Sequence, residues 1–241
     1  MRKEGNRMRT ERGEVVERLE CYLLEHQVGP GQCLPSEREL CQALNVSRTA
    51  LRCAIRQLTD EGMLYSKASV GTFVAEPKIR RPLQTYIPFK RTVELAGHGF
   101  TSKVNSFEVV GAGKLIGANL HLLIGKPVYR LRRVRSIDGE PFMLDTSYLS
   151  EDRFPGLMDH DFSRESLYTV LREQYGTAIR KGSESLRITY ATEEEAQLLQ
   201  TQPGAALFYI EGLALDGADE PTEYARVTVR PERVQFSSSM S

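Results

Sequence analysis

The stretch PSERELCQALNVSRTALRCAIRQL, Pro35 to Leu58, reads as two short helices hinged at Asn45-Val46. Ser36 offers an N-cap oxygen and Glu39, three residues on, completes a capping box. The first helix then buries Leu40, Ala43 and Leu44. Asn45 suits the left-handed position after a helix end, and Ser47 caps the next helix. That helix buries Leu51, Ile55 and Leu58, and Gly62 ends it. Its opposite face carries Arg48, Arg52 and Arg56 with no acidic residue between Ser47 and Leu58. Like charges four apart stack on one face and repel by about 0.2–0.5 kcal/mol per pair. A sequence shaped only by folding would alternate them with Glu.

Upstream, Val15, Val16, Leu19, Tyr22 and Leu23 make one stripe of a helix over Glu11 to Glu25, which Gly29-Pro30-Gly31 stops. Downstream, Met63-Leu64-Tyr65 and Thr72-Phe73-Val74 flank a turn and predict a small hairpin, or wing. Three helices, a tight turn and a wing make a winged helix-turn-helix over residues 1–75. An outward cationic ridge on its second motif helix is what docking into a DNA major groove asks for. Arg can grip phosphates or fork onto guanine, while Ser47 and Thr49 offer hydroxyl and helix-start N–H groups to a phosphate. This reading requires the guanidinium groups at 48 and 52 to stand clear of carboxylates of the same subunit.

Net charge is zero, with 32 basic and 32 acidic residues, so any nucleic-acid footprint must be local. No run approaches the ~18 apolar residues of a membrane span, and the polar N-terminus lacks an export signal, so the expectation is a cytoplasmic protein. Cys21, Cys33, Cys41 and Cys53 are spaced 12, 8 and 12 apart, which fits no zinc pattern. They are read as buried, reduced thiols. No metal or cofactor is expected.

EPKIRRPLQ, residues 76–84, has two prolines, four basic residues and little to bury, and reads as a linker. Beyond it, residues 85–241 alternate runs of strand (VYRLRRVRSID, PFMLDTSYL, ALFYIEGLALD, EYARVTVRPERVQF) with helical stretches (ESLYTVLREQYG, TEEEAQLLQ). Strands with a few helices on one face suggest an α+β domain on an antiparallel sheet. Arg133 and Arg135 share a strand face with Leu131 and Ile137. Two guanidinium groups in a core-facing layer need an anion. It is either an internal carboxylate, with Asp145 and Glu223 available, or a ligand phosphate or carboxylate gripped by two forks. Ser166 begins a helix and can present its hydroxyl and helix-start N–H groups to the same anion.

LPSERELCQALNVSRTALRCAIRQLTDEGMLYSKASVGTFV resembles the N-terminal domain of GntR-family bacterial transcription regulators. The shared pattern is a PSE-R-L helix, a VSR-T-R recognition helix, an EG-L turn and a GTFV wing end. The resemblance implies DNA contacts at Arg38, Ser47, Arg48, Thr49, Arg52 and Gly71, on double-stranded, palindromic operator DNA. Family wings usually carry a basic residue and glycine before GTFV, where this chain has Ala68-Ser69-Val70; Lys67 is the remaining cation. From Tyr86 onward the chain resembles the UTRA domain of the HutC branch, through RLRRVRSIDGEPFMLDTSYL, FPGL, SLYTVLREQYG and EPTEYARVTVRPERVQF. The implied fold is similar to chorismate lyase. In resembling regulators that answer to sugar phosphates, positions matching Arg133, Arg135, Ser166 and Tyr168 hold the phosphate. Those matching Asp145 and Glu223 take the sugar's hydroxyl or amino groups, and backbone at Phe89-Lys90 closes over the ligand. Asp145 stands where Glu is commoner, Val229 where an aromatic often stands, and Arg230 is a candidate third cation.

The expected protein is therefore a homodimeric repressor that a small anionic effector, such as a sugar phosphate, releases from DNA. Two alternatives remain open on the residues alone: a C-terminal domain that only dimerises, and a lyase-like enzyme. Against the enzyme, His26, His98, His121 and His160 sit in unrelated contexts, and no catalytic motif pairs a nucleophile with a base, so no catalytic residue is expected.

Overall fold

In the computed structural model, residues 2–67, 69–82 and 89–238 are described, with nothing on the side chains of residues 2–12 and 82. The chain divides into two compact units, Met1–Lys78 and Ile79–Ser241. The helix-turn-helix, wing and antiparallel-sheet architecture follows the α+β expectation.

The first unit consists of α1 (Arg2–Glu25), α2 (Glu37–Leu44), α3 (Arg48–Asp60), β1 (Leu64–Lys67) and β2 (Gly71–Val74). The capping box at α2 is complete: Ser36 Oγ accepts from the Glu39 amide at 3.3 Å, and the Ser36 amide donates to the Glu39 carboxylate at 2.9 Å. Asn45 takes the left-handed conformation (φ 52°, ψ 51°), which ends α2 and lets Ser47 Oγ cap α3 on the Ala50 amide at 3.2 Å. The core gathers Val15, Val16 and Leu19 of α1, Leu40 of α2, and Leu51, Ala54 and Leu58 of α3. Ala43 is exposed rather than buried, because α2 is short and only Leu40 faces α1 and α3 fully. The cysteines are free, as expected, but Cys21, Cys33 and Cys53 are exposed and Cys41 is half-buried. Cys21 lies two residues from Leu19, and Cys53 two from Leu51. Such a step turns a side chain about 200° around a helix, off the buried stripe.

β1 and β2 pair antiparallel as the wing, with Leu64 opposite Val74 and Lys67 opposite Gly71. Gly71 is required there. Its φ of +146° suits glycine alone, and an added Cβ would lie 2.9 Å from Cys33 Sγ. Of the atypical wing tip, Ala68 lies outside the described residues, while Ser69 and Val70 form the exposed turn.

The second unit holds β3 (Ile79–Pro82), α4 (Phe89–Leu95), β4 (Phe100–Gly111), α5 (Lys114–Leu120), β5 (Pro127–Ile137), β6 (Glu140–Ser150), α6 (Leu167–Tyr175), β7 (Lys181–Tyr190), α7 (Glu193–Leu199), β8 (Ala206–Leu215), β9 (Pro221–Val229) and β10 (Val234–Ser237). Six strands form one antiparallel sheet in the order β4-β5-β6-β9-β8-β7, and β3 pairs parallel with β10. The stretch read as a linker thus contains a strand. Ile79 and Arg81 are both buried, with Ile79 packed beside Val234 and Val229; residues 83 and 84 lie outside the described residues. The helices also cover both faces of the sheet rather than one. α6 packs Leu167, Val170 and Leu171 on Tyr129 and Leu131, whereas α7 packs Ala196 and Leu199 on Val134 and Leu144. Alternation along β5 explains this, since both of its faces carry apolar residues. No helix among the described residues is long and apolar enough to cross a membrane.

Candidate functional site

On α3, Arg48, Thr49, Arg52 and Arg56 are exposed, as are Ser47 at the cap and Arg38 on α2. Arg48 has no ion pair among the described residues. Arg52 does: its Nε lies 3.0 and 2.9 Å from the two carboxylate oxygens of Glu37. The expectation that both guanidinium groups stand clear is thus wrong for Arg52, because Glu37 opens α2 beside that position on α3. The two side chains are 70% and 42% exposed, and a pair so solvated is worth about 0–1 kcal/mol. A phosphate can displace Glu37 at little cost. In the wing, Lys67 holds its ammonium 5.1 Å from the centre of the Phe73 ring, so the remaining wing cation rests on an aromatic face.

The second unit encloses a cavity of about 530 Å³ whose lining includes Phe89, Lys90, Arg133, Arg135, Asp145, Ser166, Tyr168 and Glu223. Strand register builds its charged centre. Arg133 of β5 stands directly opposite Asp145 of β6, and Arg135 follows on the same face. Arg133 Nη2 donates to Asp145 Oδ2 at 2.7 Å and to Ser147 Oγ at 3.1 Å. Arg135 reaches the same Oδ2 through Nη2 at 2.5 Å and Nε at 3.1 Å. One carboxylate therefore serves two buried or half-buried guanidinium groups, and Arg133 Nε is buried with no hydrogen-bond partner among the described residues.

Glu223 of β9 accepts from the Tyr168 hydroxyl. Burial, then the charge of Asp145, pushes its carboxyl above the ordinary value. Burial pushes Asp145 the same way, but the charges of Arg133 and Arg135 outweigh it and hold that carboxyl below its ordinary value. Two neighbouring acids are thus driven apart, one towards the neutral form and one held ionised. Two guanidinium groups thus share the single carboxylate of Asp145, with the Glu223 carboxyl alongside. Burial also lowers the Arg133 pKa, only partly offset by Asp145. Ser166 is the N-cap of α6, and its side chain makes no capping bond there.

Arg230 does not belong to this group. Its Nη1 donates to the carbonyls of Pro141 and Leu199 at 3.0 and 3.3 Å and pairs with Glu140 at 2.9 Å. It follows β9 directly, beyond the buried Val229, where it ties strand ends together. Sequence reasoning also missed members of the lining: Arg81, Glu184, Phe100 and the small residues Gly212, Ala214 and Ala225. Arg81 was hidden by flanking prolines that suggested a linker. The small residues carry no chemistry of their own, and only the register shows that they leave the space.

Comparison with known proteins agrees with this geometry. Residues 11–74 match the bacterial regulatory proteins, gntR family, and residues 95–235 match the UTRA domain. YurK, an uncharacterized HTH-type transcriptional regulator of Bacillus subtilis (strain 168), is 31% identical over 208 residues, 86% of each chain. A probable fructoselysine utilization operon transcriptional repressor of Escherichia coli (strain K12) is 30% identical over 207 residues, covering 86% of this chain and 85% of its own. The crystal structure of PhnF from Mycobacterium smegmatis superposes with a TM-score of 0.69 at 27% identity, covering 93% of this chain and 98% of that one. These are regulators by name, not enzymes. With its helix-turn-helix unit, its UTRA domain and a relative above 30% identity across most of its length, the chain belongs to the GntR family of DNA-binding bacterial transcription regulators, in the HutC-like, UTRA-bearing branch.

Proposed function

We propose that the protein is a homodimeric repressor that binds a palindromic operator through Arg38, Ser47, Arg48, Thr49, Arg52 and the wing at Gly71. A small anionic effector, of the sugar-phosphate class, releases it. The observation that carries the effector half is the sharing of one carboxylate, Asp145, by Arg133 and Arg135 inside a 530 Å³ cavity. Two guanidinium groups that share one carboxylate keep N–H donors for an incoming anion, and can hold a phosphate by several charge-assisted bonds. Ser166, Tyr168, Phe89 and Lys90 line the same cavity, and Asp145 and Glu223 are assigned to the ligand's hydroxyl or amino groups. Arg230 has no part in it. The test is thermal melting against sugar phosphates, amino-sugar phosphates, phosphonates and small carboxylates, because a ligand of the native state raises the melting temperature. A phosphorylated compound should raise it in the wild type and not in Arg133→Ala. A rise of equal size in both would place the ligand elsewhere, and a rise with no compound of the panel would favour a domain that only dimerises.

The proposed dimer uses β7. This ten-residue strand is the last of the six-stranded sheet, and Ile188 and Tyr190 are 67% and 70% exposed on it, with Leu186 beside them. An open edge of that length with an apolar row invites a second strand. Ile188→Lys is expected to give a monomer by light scattering and to weaken operator binding, since a lone half-site contact loses its partner. An unchanged dimer would move the interface elsewhere.

A further inference from the structure

The proposed function leaves one part-buried charged pair of the cavity unused. Arg81, on β3, is 5% exposed and lines the cavity. Its Nη2 donates to Glu184 Oε1 at 2.6 Å, while Nε and Nη1 are buried without a hydrogen-bond partner among the described residues. Its guanidinium carbon sits 4.6 Å from the centre of the Phe89 ring and 5.8 Å from that of Phe236, so two aromatic rings pack against the group. Glu184, on β7, also lines the cavity, and its Oε2 accepts no hydrogen bond among the described residues. The pair therefore keeps unspent donors on its cation and an unspent acceptor on its anion.

Register fixes how far this pair stands from the Arg133 cluster. Glu184 pairs with Gly212, Gly212 with Ala225, and Ala225 with Ser147, whose hydroxyl accepts from Arg133. Three strand spacings separate the two ends, roughly 14 Å between backbones. The positions between them are Gly212 and Ala225, which put almost no side chain into the cavity. The floor is a trough with a charged group at each end.

We propose that Arg81 and Glu184 form a second subsite that binds an α-amino-acid head group, so that the effector is a two-ended molecule: an anion of the phosphate class at Arg133 and Arg135, and an amino-acid end here. A guanidinium with free N–H groups takes a carboxylate, and the open oxygen of the adjacent carboxylate takes the ammonium. An anion alone would sit against Glu184, and an amine alone against Arg81; a zwitterion satisfies both and adds no net charge to a pair that has none. This rests on the proposed anion site at Arg133.

The test uses flexible probes whose shape does not presuppose a sugar: 2-amino-7-phosphonoheptanoate and heptylphosphonate, titrated calorimetrically into the full-length wild type and into Arg81→Gln, Glu184→Gln and Arg133→Ala. The amino-acid phosphonate should bind the wild type at least ten-fold more tightly than heptylphosphonate. That advantage should vanish in Arg81→Gln and in Glu184→Gln, with heptylphosphonate unchanged, and Arg133→Ala should abolish binding of both. Glu184 is partly solvated, so Glu184→Gln keeps the test alive should Arg81→Gln fail to fold. Equal binding of the two probes, with both lost in Arg133→Ala, overturns the second subsite and leaves the anion site standing. Binding of neither probe overturns both.

Discussion

Asp145→Asn should lower the stability of the C-terminal domain by about 3–5 kcal/mol, the usual cost of removing one partner from a buried ion pair. Among the described residues Asp145 is the one carboxylate to which Arg133 and Arg135 both donate, so the substitution leaves two guanidinium groups without the anion they share. Chemical denaturation at neutral pH measures the loss directly. The pH dependence carries a second signature. The folded pKa of Asp145 lies below its ordinary value, so its stabilisation is present above the unfolded carboxylate pKa and is lost as pH falls below it. Glu223 works in the opposite sense. Its raised pKa makes its contribution fullest at low pH, with loss as pH rises through the folded value. Asp145→Asn should therefore flatten the acid limb of the stability profile and leave the Glu223 limb in place. An anion supplied at saturating concentration should recover part of the loss by taking the vacated position. A cost below about 1 kcal/mol, within the range of ordinary surface changes, would mean that the arginines find other partners.

The second large effect is expected on DNA. Arg48→Ala should weaken binding to an operator selected from a random-sequence pool by about 10- to 100-fold per half-site, following the ~1–3 kcal/mol of a specific arginine contact. It should leave the thermal response to effector unchanged. If Arg48 grips a phosphate rather than a base, the loss is uniform across sequences, and the slope of log affinity on log salt falls by about one for each contact removed. Arg52 behaves differently, because Glu37 competes for it. Removing that competitor should strengthen operator binding modestly, which separates a DNA-contacting Arg52 from one that only braces α2 against α3.

Much of the DNA-binding unit was legible because local rules act there without long-range help. Ser36 and Glu39 three apart, Asn45 at a left-handed position and Ser47 at the next cap each state their own geometry, and the structure repeats them. The placement of Arg133 and Arg135 on the core-facing side was legible for a similar reason: strand alternation is a period of two and needs no partner strand. What failed depended on neighbours distant in sequence. Nothing near Arg52 announces Glu37, fifteen residues back. Nothing in IRRP announces that Ile79–Pro82 pairs with a strand more than 150 residues on, so Arg81 was assigned to a linker and its role in the cavity was missed. The cysteines were misjudged by residue type, since thiols are commonly buried, whereas the angular positions of Cys21 and Cys53 on their helices put them outward. Arg230 was read as a candidate third cation, but at the end of β9 it turns towards the carbonyls of Pro141 and Leu199. Helices on both faces could have been read from β5 alone, whose two faces carry Val128 and Val134 on one side and Tyr129 and Leu131 on the other.

The division of labour between outward and inward arginines is tested most directly by fluorescence anisotropy on the selected operator. A phosphorylated compound that raises the wild-type melting temperature is titrated against three proteins: wild type, Arg48→Ala and Arg133→Ala. The account predicts that wild type binds and is released, that Arg48→Ala binds poorly from the start, and that Arg133→Ala binds as tightly as wild type and stays bound at every effector concentration. Release of Arg133→Ala at the wild-type concentration would contradict it, because the anion would then act without the guanidinium groups assigned to hold it.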